Sequence, residues 1–141
     1  MVKKISFIFL FSLSIVFAKS DLEKGIQYYK LRHKGCIEDR ADSEPITKAV
    51  TFFEKALANH ADKDEASLYL LKSYYFKAKF TENDKKKKKA LLKKGKDLGQ
   101  KLITVFPKSA EYRYWYLVNL GSWAEVYGII AAAREGVADQ M

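Results

Sequence analysis

The sequence has little of the chemistry that staples small exported domains or supports catalysis. Its 141 residues include one cysteine, Cys36, and two histidines, His33 and His60. A secreted domain held by disulfides carries an even set of cysteines, so side-chain packing must stabilise this fold. The sequence contains no Ser/His/Asp spacing, HExxH motif, Cys/His cluster or glycine-rich phosphate loop. These absences predict a protein that is not an enzyme and holds no metal or cofactor.

The chain also lacks an apolar run long enough for an ordinary membrane span. The longest run, from Ile5 to Phe17, has 13 residues and follows Lys3 and Lys4. Val16 and Ala18 then occupy the −3 and −1 positions of a cleavage site, which completes the plan of a secretory signal peptide. A retained signal anchor is the alternative interpretation.

The expected domain organisation follows from this leader. We predict a signal peptide at residues 1–18 and a single helical domain at residues 19–141, periplasmic or otherwise exported, and soluble after the leader is removed. No cysteine follows the apolar run closely, so the sequence has no lipobox. Removing the two lysines of the leader lowers the net charge from +9 to +7.

Every segment with a recognisable hydrophobic period is helical. Asp21, Ser43, Asp84 and Ser109 are the expected N-terminal caps, and Pro107 is expected to end the fourth helix. Helices are predicted over residues 22–33, 44–59, 63–80, 84–106 and 110–127, with apolar residues continuing to Ala133.

An internal repeat assigns the fold class. A shift of 46 residues places Leu22 on Leu68 and Tyr29 on Tyr75, so each unit is a helix, a loop and a second helix. The second predicted helix has the A-x3-F-x2-A spacing of a tetratricopeptide helix. We therefore predict an all-α, tetratricopeptide-like α-solenoid of stacked helical hairpins with about five to six helices. Close helix packing is expected at Ala49, Phe53, Ala56, Gly95 and Gly99.

The basic character of the chain is local. Eight lysines lie between Lys85 and Lys96, on the outer side and at the start of the fourth predicted helix,. No arginine or aromatic residue interleaves with them, so a nucleic-acid partner is not expected. A solvated helix face, and contact with an acidic partner or an anionic membrane surface, remain the two interpretations.

The densest aromatic stretch is YWYLVNLGSWAEVYG, from Tyr114 to Gly128. On a helix its aromatic faces flank a stripe of small residues that suits close packing, and its one asparagine needs hydrogen-bond partners. The helix is either buried in the core or lines a cavity or interface that binds a ligand or partner. The candidate binding residues are Trp115, Tyr116, Asn119, Trp123 and Tyr127, and the close-packing residues are Gly121, Ala124 and Gly128.

Four segments together resemble a known family. ASLYLLKSYYF, DKKKKKALLKKGKDLGQKLI, FPKSAEYRYWYLVNLGSWAEVYGIIAA and VADQM occur in one order, and they resemble the TatT family, the T component of tripartite ATP-independent periplasmic (TRAP) transporter systems. The likeness covers residues 48–141 and is most specific over 111–128.

The resemblance implies a non-catalytic transport component that docks the periplasmic substrate-binding protein of a TRAP transporter. It further implies a homotrimer and an apolar small ligand. Members of that family continue past the position of Met141, so the domain would be truncated at its C-terminus, degenerate, or completed by association. The alternative function, without a transport link, is a general periplasmic tetratricopeptide scaffold for protein–protein interaction in envelope assembly.

Overall fold

A computed structural model describes residues 19–59 and 62–140, so the predicted signal peptide lies outside the described residues. The described part is all-helical and contains no strand. Five long helices and two short ones follow one another along the chain. They are α1 (Asp21–Lys30), α2 (Ser43–Ala58), α3 (Lys63–Phe76), α4 (Lys85–Val105), α5 (Ala110–Tyr127), α6 (Ile129–Arg134) and α7 (Val137–Gln140).

The helix starts agree with the expected caps in two of four cases. Asp84 Oδ1 accepts a hydrogen bond from the Lys87 N–H, and Ser109 Oγ accepts one from the Tyr112 N–H. At α1 the cap is Ser20, because Ser20 and Glu23 form a reciprocal capping box that Asp21 cannot form,. Ser43 lies inside α2 as its first residue.

Helix ends follow local backbone chemistry. The predicted third helix divides into α3 and a π-helical segment, Lys77–Thr81, where Thr81 Oγ1 donates to the Lys77 carbonyl at 2.8 Å. Such π segments widen a helix by one residue, which the hydrophobic period does not reveal. Gly128, at a φ of +111°, ends α5 and starts α6 in a new direction,.

The first hairpin has the predicted packing. Phe53 of α2 is fully buried, and its ring lies directly over Gly25 of α1, where a Cβ atom would overlap it. Ala49 and Ala56, one turn away on either side, are buried in the same cluster. The prediction of stacked tetratricopeptide-like hairpins is therefore confirmed at the level of the fold.

Helix α3 is the centre of the array. It contacts α2, α4 and α5, so it buries residues on several faces. The hydrophobic period of residues 63–80 predicts that Leu71 and Tyr75 point inward, and the structure buries Leu71 and Tyr74 but leaves Tyr75 half-buried. A hydrophobic period that assumes one buried face does not predict the burial pattern of a helix that packs against several other helices.

Candidate functional site

The aromatic helix α5 buries one face against α3 and α4. Tyr116, Asn119 and Trp123 are at most 3% exposed, whereas Trp115 and Tyr127 are half-buried at the edges of that face. These five residues are the candidate binding set predicted from the sequence. The structure brings them to one side of α5, most of it inside the core.

Asn119 joins three helices. Its Nδ2 donates to the Leu71 carbonyl of α3 at 3.2 Å and to the Trp115 carbonyl of its own helix at 2.9 Å. Its Oδ1 is buried without a hydrogen-bond partner in the described part of the chain and lies against Gly95 of α4. In this conformation the amide acts as a spacer between helices.

The two glycines of α4 allow this close approach. A Cβ atom at Gly95 would lie 2.5 Å from Asn119 Cγ, and one at Gly99 would lie 3.0 Å from Tyr116 Cα. Both distances are shorter than ordinary contacts between side chains, so only glycine fits at either position.

Two lysines of α4 lie over aromatic rings of α5. Trp123 and Tyr127 stack with centroids 4.4 Å apart, and the ammonium groups of Lys96 and Lys89 lie 4.3 Å and 4.6 Å from the respective ring centroids. Such contacts stabilise a charged group over a ring face. Part of the lysine run therefore holds α4 to α5.

A second face of α5 borders an apolar groove. The groove has a volume of about 410 Å³ and lies between α5 and the short helices α6 and α7. Its floor and walls are almost entirely apolar and mostly small. They are formed by Gly121, Ala124, Glu125, Ile129, Ala132, Ala133, Val137 and Ala138.

The small-residue stripe of α5 therefore belongs to this groove. Gly121 and Ala124 line it, and a Cβ at Gly128 would have no atom within 4 Å. The structure does not place Gly128 against another helix in the described part of the chain. Ile129, which lines the groove, is 82% exposed, and its neighbour Ile130 is 74% exposed, which marks this region as an apolar surface.

A polar cluster between α2, α3 and α4 was not predicted. The Tyr74 hydroxyl donates to Glu54 Oε1 at 2.9 Å, and Lys94 Nζ lies 3.6 Å from the same oxygen. Burial, and then the hydrogen bond to Glu54, raise the pKa of Tyr74 above its ordinary range. The cluster joins residues 20 and 40 positions apart, so no local sequence motif could have indicated it.

The described residues contain no group of three or more His, Cys, Asp and Glu side chains that could hold a metal ion. Within the same residues, no helix is long and apolar enough to cross a membrane.

Stacked helical hairpins with an open apolar groove define a helical-repeat protein of the tetratricopeptide-like class. A family model described as Regulator of microtubule dynamics protein 1-3 matches residues 33–136. This match covers most of the chain, and the protein therefore belongs to that family. A search of curated proteins and a search of solved structures each found no significant match.

The family match corrects the identification made from sequence. The TatT resemblance is wrong, and the expected TRAP substrate-binding partner is wrong with it. The homotrimer was implied by that resemblance alone. The apolar ligand was suggested by the aromatic helix as well, and neither is proposed for this protein. The resemblance relied on small and aromatic residues at helical spacing, and helical-repeat families share that pattern because their hairpins pack alike.

Proposed function

We propose that this chain is a non-catalytic scaffold that binds a helix of another protein in the groove between α5 and α6–α7. The single observation that carries the proposal is the groove, whose lining is apolar and mostly small. In a helical-repeat array each hairpin buries its face on a neighbour. A partner helix in the groove would cover α5 as a further hairpin would.

The small lining residues favour a partner that fills the groove with a helix over one that inserts a single bulky side chain. Gly121 and Ala124 lie on successive turns of α5, and Ala132 and Ala133 face them from α6. Small residues on both walls let the backbone of a partner approach closely. Ile129 adds an exposed apolar side chain at the edge, which a partner's apolar face would cover,.

The polar interior supports a structural role. The Asn119 amide donates to two carbonyls of the helical core, and the Tyr74 hydroxyl donates to Glu54. Burial raises the pKa of the Tyr116 phenol, whose hydroxyl donates to Gln100 at 2.6 Å. These donors are neutral and hydrogen-bonded at neutral pH, which suits packing rather than proton transfer.

The family's name directs the first assay to microtubules, since it describes regulators of microtubule dynamics. Cosedimentation with polymerised tubulin is the direct measurement. Ile129→Asp places a charge at the edge of the groove and should reduce binding at least about tenfold, a loss of about 1.4 kcal/mol. Ile37→Asp is the matched control, because Ile37 is 76% exposed in the loop between α1 and α2, outside the groove.

If tubulin does not bind, a photo-crosslinking amino acid at Ala133 identifies the partner in cells that make the protein. We expect one defined adduct from position 133 and none from position 37. The purified partner should then show the same difference between Ile129→Asp and Ile37→Asp. Equal adducts from both positions, or none from the groove, would contradict the proposal.

Export is a separate inference. It depends on residues 1–18, which lie outside the described residues, so it stays a prediction, and cleavage after Ala18 in an exporting cell tests it.

A further inference from the structure

We propose that the first turns of α4 bind an acidic segment of a polypeptide, at a surface separate from the groove. This surface is the lysine patch, defined as Lys85, Lys86, Lys87, Lys88 and Lys89. The first three side chains are exposed and the last two are half-buried.

The five lysines of the patch are not paired with carboxylates within residues 19–59 and 62–140. Two turns further along the same helix, Lys93 pairs with Asp97 at 2.5 Å and Lys94 lies 3.6 Å from Glu54. The fold thus supplies carboxylates to Lys93 and Lys94 and leaves all five lysines of the patch without an ion pair in the described part of the chain.

The carboxylates that are nearest to the patch in the sequence are already engaged by the backbone. Glu82 Oε1 accepts hydrogen bonds from the N–H groups of Asn83 and Asp84 at 3.1 Å and 3.0 Å. Asp84 Oδ1 caps α4 by accepting from the Lys87 N–H at 2.8 Å. These carboxylates hold the turn before α4, so they are poorly placed to reach the lysine ammonium groups.

The position of the charge is unfavourable for the isolated protein. Positive side chains lie at the positive end of the helix macrodipole, where acidic residues are stabilising. The first turn of α4 contains no acidic residue. Lys85 and Lys89 also form a like-charge pair four residues apart. An anionic partner would relieve both effects.

An acidic polypeptide fits this patch better than the other anionic macromolecules. Nucleic-acid surfaces combine cations with exposed aromatic rings that stack on bases, but the aromatic ring beside Lys89 is Tyr127, which the ammonium already covers. Membrane-binding surfaces combine cations with apolar anchors. None of the large exposed apolar side chains lies on the first turns of α4. Flexible ammonium groups without anchors suit carboxylates on a polypeptide.

The test measures binding of a fluorescent oligoglutamate peptide to the whole protein by anisotropy. The patch variant Lys85→Gln/Lys86→Gln/Lys87→Gln is compared with Lys63→Gln/Lys101→Gln/Lys108→Gln. The control removes the same charge from exposed lysines outside the patch. At low salt we expect the patch variant to lose affinity about tenfold and the control to lose less than about twofold, with all binding weakened by added salt.

Three results would overturn the proposal. The wild-type protein would bind no oligoglutamate, or both variants would lose affinity equally, or anionic vesicles or RNA would bind more tightly than the peptide and depend on the same lysines. Thermal unfolding is a second readout, because removing the repulsion should leave the patch variant at least as stable as the control. Ile129→Asp should leave peptide binding unchanged, so failure at the groove and failure at the patch are distinguishable.

Discussion

Two glycines of this fold each pack against one side chain of a neighbouring helix, and one of these side chains is apolar whereas the other is polar. Gly25 of α1 lies under the ring of Phe53, and Gly95 of α4 lies under the amide of Asn119. The ring is held by dispersion contacts alone, and on α3 the Tyr69 ring stacks on it with centroids 5.1 Å apart. The amide also needs acceptors, and it obtains one of them from the Leu71 carbonyl of α3. Both contacts therefore reach α3, the apolar one through ring stacking and the polar one through a directed hydrogen bond.

The largest expected effect is at the apolar interface. Phe53→Ala removes a fully buried ring and should lower the free energy of unfolding by about 3–5 kcal/mol,. Urea unfolding followed by circular dichroism measures this loss. Phe52→Ala is the matched control, because Phe52 is half-buried and stacks on Tyr28 with centroids 5.6 Å apart. We expect the control to cost less than half as much, and equal losses would contradict the assignment of Phe53 as the central packing residue.

The next largest effect is at the polar interface, where the substitution adds a methyl group instead of removing a side chain. Gly95→Ala places a methyl group 2.5 Å from Asn119 Cγ and should destabilise the protein by about 3 kcal/mol,. In an Asn119→Ala background the methyl group has room, so the same change should cost at least about 1 kcal/mol less. The double-mutant cycle is measured by urea unfolding. Additive losses would show that Gly95 and Asn119 do not share one contact.

The sequence predicts the first interface better than the second. The spacing of Ala49, Phe53 and Ala56 is a repeated local pattern, and the hairpin fold follows from it. Gly95 and Gly99 could be assigned to close packing because glycine inside a helix has few other uses. The contact between Asn119 and Leu71 joins residues 48 positions apart, and no local period encodes such a pair.

The groove shows a different limit. A small-residue stripe on α5 predicts that some helix approaches closely, but it does not say which one. The non-helical backbone at Gly128 separates α6 from α5, and Gly121 and Ala124 lie beside an open groove. The same stripe supported the resemblance to the wrong family, because close packing between hairpins is common to many helical-repeat proteins.

A smaller effect tests the hydrogen bond that joins α3 to α2 of the first hairpin. Tyr74→Phe removes the hydrogen bond to Glu54 and should lower the free energy of unfolding by about 1 kcal/mol at neutral pH,. Burial and that hydrogen bond raise the pKa of Tyr74, so the folded protein keeps the phenolic proton to higher pH than the unfolded chain,. This contribution is complete below the unfolded pKa of about 10 and is lost as pH rises through the folded value.

The wild-type protein should therefore lose part of its advantage over Tyr74→Phe as pH rises above about 10. Urea unfolding at neutral and at alkaline pH measures the difference. Tyr114→Phe is the control, because Tyr114 is 60% exposed and makes no side-chain hydrogen bond among the described residues. A difference for Tyr74→Phe that stays constant with pH would contradict the proton linkage.

The smallest expected effect decides whether the Asn119 amide serves the spacing of the helices or the binding of a partner. Asn119→Leu keeps the branched shape of the side chain between α3, α4 and α5 and adds some volume. It removes two donated hydrogen bonds together with a buried oxygen that has no partner in the described part of the chain. The lost hydrogen bonds and the larger side chain oppose the gain from removing the unpaired oxygen, so we expect a change within about 1 kcal/mol. If groove binding is also unchanged, Asn119 serves the spacing of the helices. A loss of partner binding at unchanged stability would instead assign Asn119 to recognition, and the two glycine interfaces would then differ in function as well as in chemistry.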